Sequence, residues 1–115
     1  MQFTIQIHPH RSPQLDLFNL RSECVRLAAD KALVCRFSWA VGFDEYTYVN
    51  LTFETDRPRQ LWVLLHEQLY QASSFGSFMQ VSSMAMCEGQ RGWDDYRLLH
   101  HYDTGLKRDE VPDEW

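Results

Sequence analysis

Nowhere in this chain do apolar residues run on for anything near the roughly 20 positions that a membrane-spanning helix requires. The first residues alternate polar with apolar instead of pairing a basic start with a continuous hydrophobic core, so no export signal is expected and the chain reads as cytoplasmic. Cysteine is scarce. Cys24, Cys35 and Cys87 are odd in number, far apart and without a CxxC pair, which argues against a disulfide framework or a zinc knuckle and for reduced, mostly buried thiols. Positive charge is in deficit, with 11 Lys and Arg against 16 Asp and Glu for a net charge of -5. Such a chain lacks the cations that displace counterions from a phosphate backbone, so nucleic acid is not an expected partner and a basic or neutral protein is. Also missing are GxxxxGK, GxGxxG, GxSxG and HExxH, any internal repeat and any low-complexity tract.

What is present is enough for one folded domain. At 115 residues, 44% apolar and 14% aromatic, the chain is too short for a second domain and too hydrophobic for disorder. Phe3, Ile5 and Ile7 alternate with Thr4, Gln6 and His8, the period of a half-buried strand that stops at Pro9. Ser12 before Pro13 reads as a helix start, and Leu17, Leu20, Cys24, Leu27 and Ala28 follow at helical spacing. Leu33, Cys35, Phe37, Trp39 and Val41 suggest a second strand, ending in a turn over Gly42–Glu45. Tyr46 to Thr55 suggests a third, with Val49, Leu51 and Phe53 on its inward side. A second amphipathic helix opens at Asp56 and Pro58, carries Leu61, Trp62, Leu64, Leu65, Leu69 and Ala72, and ends among Ser73, Ser74, Gly76 and Ser77. Residues 78 to 87 make a weaker strand with Phe78, Val81, Met84 and Met86.

Residues 93–103 admit two readings. Asp94 and Asp95 at the start, histidines in the last turn and Gly105 beyond suit a short helix matched to its dipole. Tyr96, Leu98, His100 and Tyr102 alternate as in a fifth strand, joined to the fourth by a five-residue loop. The helix is the expectation. From Leu106 to Trp115 the charged residues and Pro112 read as an acidic tail that frays, unless Trp115 docks. The expected organisation is thus a single domain over 1–105 and a tail over 106–115.

The order β-α-β-β-α-β identifies the fold class as α+β: a ferredoxin-like antiparallel sheet with two helices on one face and a C-terminal extension. In that topology the first β-α connection, the central hairpin and the second α-β connection share one end of the sheet. They carry His8, His10 and Arg11; Asp44 and Glu45; and Ser73, Ser74 and Ser77. Imidazole is a common metal ligand, and Asp44 is available as a third donor to His8 and His10. Without a dense Cys/His pattern, however, no metal site and no cofactor is expected. His100 and His101, as helix neighbours about 100° apart, rarely serve one site. His66 beside Trp62 has no serine or cysteine nucleophile evidently paired with it. Arg11 and Asn50 resemble the first-loop arginine and sheet asparagine of acylphosphatases. That family's first loop is glycine-rich, so that amides cradle phosphate, whereas this one holds two histidines and two prolines, and phosphoryl chemistry is not expected.

The other candidate surface is the sheet face away from the helices, bearing Arg36, Tyr46, Tyr48 and Asn50, with Phe78 or Met84 beside them. Exposed aromatics on such a sheet bind RNA in some domains, but no RNP-type run accompanies these. Tyr, Met and Arg also make protein interfaces. The binding candidates are therefore His8, His10, Arg11, Asp44, Glu45, Arg36, Tyr46, Tyr48 and Asn50, with no catalytic residue assigned. The chain is expected to be a small cytoplasmic, noncatalytic binding or regulatory module of bacterial type. Its expected partner is another protein, in an immunity- or antitoxin-like role, or a second copy through the sheet or an edge strand. The alternative is a small enzyme or metal-binding protein using the His8/His10/Arg11 end.

Overall fold

The computed structural model describes residues 1–72, 74–112 and 115. It is an α+β fold in which five antiparallel strands form one sheet: β1 (Gln2–Ile7), β2 (Arg36–Asp44), β3 (Tyr46–Glu54), β4 (Ser83–Gly89) and β5 (Gly92–His100). Their order across the sheet is β2-β3-β1-β4-β5. The helices are α1 (Leu17–Ala28), α2 (Pro58–Leu65) and α3 (Gly76–Ser82). Among the described residues no helix is long and apolar enough to cross a membrane.

The sheet sorts its residues by parity. Phe3 lies between Phe53 and Cys87, Ile5 between Leu51 and Ala85, and Ile7 between Val49 and Ser83. The five apolar neighbours and the three β1 residues are buried in one cluster with Leu20, Cys24 and Leu27 of α1 and Leu61 and Leu65 of α2, and Ser83 is buried beside them. Burying a side chain of this size stabilises by about 1.5–3 kcal/mol, and β1, strand-paired on both sides beneath the helices, is the centre of the core. The alternate residues Thr4, Gln6, Asn50, Thr52, Met84 and Met86 are only half-buried, because no helix lies over that face.

Several local expectations are corrected. Helix α1 starts not at Ser12 but after Asp16, whose carboxylate accepts from the Asn19 N–H at 3.0 Å; Pro9–Arg11 form a separate 3-10 turn. Leu33 lies in the turn before β2 rather than in the strand. The central hairpin is tighter than a Gly42–Glu45 turn: pairing continues to Asp44 opposite Tyr46, and Glu45 alone turns the chain with φ 60°. Past α2 the helix widens into a π-helical segment, His66–Gln71. Residues 78–82, the first half of the expected strand, are helical as part of α3, so Phe78 packs against the core from α3 instead of lining the open face. Residues 92–100 form strand β5, not a helix.

The residues after β5 do not trail freely. Asp109 donates its N–H to the Leu98 carbonyl at 2.7 Å and accepts the Leu98 N–H on Oδ2 at 2.8 Å. Val111 and Trp115 then pack against the core cluster.

Candidate functional site

Strand register assembles the site at the end of the sheet where β1 stops. With Ile7 opposite Val49 and Gln6 opposite Asn50, His8 leaves β1 near the level of Tyr48, and its N–H is held by the Ser82 carbonyl at 2.7 Å. The 3-10 turn then brings His10 flat onto Tyr46, with ring centroids 4.0 Å apart and planes 18° apart. Tyr48 lies directly across from Gly42, where a Cβ would run into the tyrosine ring; the bare backbone there lets the ring lie across the edge strand. Together Gln6, His8, His10, Asp44, Glu45, Tyr46, Tyr48 and Tyr102 line a cavity of about 390 Å³.

Six of the nine candidates therefore meet: His8, His10, Asp44, Glu45, Tyr46 and Tyr48. Arg11 stands behind the wall, its guanidinium 3.9 Å above the Tyr102 ring and its Nε–H donated to the Val81 carbonyl at 3.0 Å. Asn50 is tied to Gln6, accepting from Nε2 at 3.0 Å. Both side chains have internal partners, unlike the arginine and asparagine of a phosphate cradle. Arg36 is at the opposite end of β2, facing Glu54 at 3.9 Å and about 27 Å of strand away from Asp44. Of the serine loop, Ser74 lies on a groove between α1 and α3 and Ser77 is exposed at the start of α3; Ser73 is outside the described residues.

The electrostatics are acidic. Burial, reinforced by the charges of His10, Arg11 and His101, lowers the His8 pKa below its ordinary 6.5, so its imidazole is neutral at pH 7. His8 Nε2 is buried without a hydrogen-bond partner among the described residues, in a ring that lines the cavity. Two carboxylates, three tyrosines and a neutral histidine thus share one concavity. Among the described residues, no three His, Cys, Asp or Glu side chains come close enough to hold a metal ion.

Tyr102 is also a wall of a second cavity, of about 240 Å³, lined by His66, Tyr70, Gln80, Val81, His100, Thr104 and Arg108. Sequence reasoning missed it because its residues come from the π-helical segment, α3, β5 and the segment that follows β5, all of them read differently. The wider π turn brings His66 and Tyr70 into a stack with planes 16° apart, and Tyr70 packs on His100 at 4.6 Å. His100 Nε2 meets the Gln80 carbonyl at 3.0 Å, so that nitrogen carries the proton. Burial raises the Tyr70 pKa, and its hydroxyl shares a 2.6 Å hydrogen bond with Ser83. The Cys24 and Cys87 thiols are each pushed up to about 12 by burial, so neither is a nucleophile at neutral pH. This second cavity shares its Tyr102 wall with the first.

No family model, no curated protein and no solved structure matches the chain.

Proposed function

We propose that the protein is a noncatalytic binding module that takes a basic side chain of another protein into the cavity between Asp44 and Tyr102. One observation carries the reading: Asp44 and Glu45 share that cavity with three tyrosine rings, while among the described residues no Lys or Arg lines it. Carboxylates attract a guanidinium or ammonium, and tyrosine faces add a cation–π contribution of about 0.5–2 kcal/mol. The net charge of -5 steers a basic partner toward the surface before contact. The strand order β2-β3-β1-β4 supports a ferredoxin-like domain, with β5 as an added edge. In this proposal the module is cytoplasmic and bacterial, an acidic protein masking a basic one, as an immunity or antitoxin protein does.

Titration with a tri-arginine peptide, followed by amide chemical shifts, tests the reading. Shifts should centre on residues 44–48 and weaken with salt, and a tri-glutamate peptide should leave them unchanged. The double variant Asp44→Asn/Glu45→Gln should weaken binding by roughly tenfold or more. A preference for the acidic peptide, or shifts that bypass the cavity, overturns it.

A further inference from the structure

Strand β2 ends the sheet on one side and carries few of the devices that usually blunt such an edge, its charges standing only at its two ends, Arg36 and Asp44. Its nine-residue pairing with β3 is unbroken by a bulge, and Arg36–Asp44 contains neither proline nor lysine. Among the described residues no hydrogen bond reaches it from any element but β3. On the helix-side face its lower half shows Val41 and Phe43, 65% and 75% exposed. Phe18, one helical turn before the α1 residue Arg21 whose guanidinium lies 5.6 Å from the Trp39 ring, is 80% exposed.

The order of residues along β2 is self-complementary. Ala40 is its midpoint, and a two-fold axis through Ala40 normal to the sheet sets each residue against one equally far on the other side. Arg36 then faces Asp44 of the partner subunit, Phe37 faces Phe43 of the partner subunit, Trp39 faces Val41 of the partner subunit, and Ser38 faces Gly42 of the partner subunit. Opposite charges meet at both ends, and apolar residues meet apolar ones on the helix-side face. Small residues meet on the other face, where the Tyr48 ring lies across Gly42. Moving the axis to Trp39 or Val41 sets both charges against neutral residues.

We propose that the protein is a homodimer in which β2 pairs antiparallel with the same strand of a second copy about Ala40, joining two five-stranded sheets into one. The pairing satisfies the open backbone edge and covers Val41 and Phe43 with a partner of like chemistry. Asp44 lines the cavity, so pairing brings the partner's Arg36 to its rim. This assembly goes beyond the binding function proposed above, needs no ligand, and stands or falls without one.

Sedimentation of the full chain over a range of concentrations is the test. The wild type should approach twice 13.7 kDa. Asp44→Arg and Arg36→Asp, each at an exposed position, set like charges opposite each other at both ends and should weaken the dimer by roughly tenfold or more. The double variant Arg36→Asp/Asp44→Arg re-creates the pairs in reverse and should restore it, which neither misfolding nor a different register would do. A wild type that stays monomeric overturns the proposal. So does a dimer indifferent to the single swaps, or one that the double swap fails to restore.

Discussion

The two edges of the sheet are built in opposite ways. At β5 the pairing with β4 is interrupted twice by irregularities, Asp94, Asp95 and Arg97 put charge along the strand, and the chain returns so that Asp109 occupies both backbone groups of Leu98. At β2 the ladder is regular and open, with apolar side chains at its flank. An edge that accepts strands is an association hazard unless association is its use. One edge of this protein is closed by its own chain, and the other keeps the form that a second strand needs.

The contrast can be broken most severely from the β5 side. Val111→Ala/Trp115→Ala removes the apolar anchors that hold the returning segment on the core, and should lower unfolding free energy by about 2–4 kcal/mol in urea titrations. With that segment loose β5 becomes a second open edge, and light scattering should show polydisperse association instead of a closed dimer.

A smaller, reversible effect is expected from pH. His100, at the end of β5, has its pKa lowered by burial and by the charges of Arg108, His66 and His101, against an opposing hydrogen bond to the Gln80 carbonyl; His8 is lowered as well. On unfolding both regain the ordinary value of 6.5, so below that pH the unfolded chain binds more protons than the folded one. Their stabilising contribution is full above pH 6.5 and is lost as pH falls through that value toward the lowered ones. Melting temperature should therefore drop between about pH 7.5 and about pH 5, and drop less steeply in His100→Gln. The smallest change in monomer stability belongs to β2. Ala40→Lys, at an exposed position, should alter unfolding free energy by no more than about 0.5 kcal/mol while abolishing the dimer by setting two ammonium groups on the axis.

Where one side of an element is buried and the other is not, residue order alone revealed it. β1 and β3 show period two because their odd residues meet the helices, and the apolar spacing of α1 and α2 was equally plain. β5 was harder, since irregular pairing with β4 puts Leu99 and His100 in succession in buried positions and erases the alternation. The usable signal was Gly92, which takes φ 72° after Gln90 and Arg91 and marks a tight hairpin. α3 is only seven residues long, too short for its pattern to stand out from a strand. The first cavity was legible because topology alone brings the end of β1 to the β2–β3 hairpin. The second was not, because a π-helical turn has no simple sequence signature.

By itself the sequence determined the α+β class, the inward faces of β1 and β3, and the net acidic charge. These follow from local periodicity and summed charge, which need no knowledge of distant contacts. Only the tertiary structure decided that Tyr102 closes the cavity, that Arg36 stands a strand's length from Asp44, and that one sheet edge is covered while the other is open. Those depend on where residues far apart in the chain come to rest, and burial and pairing settle that only once the whole sheet has formed.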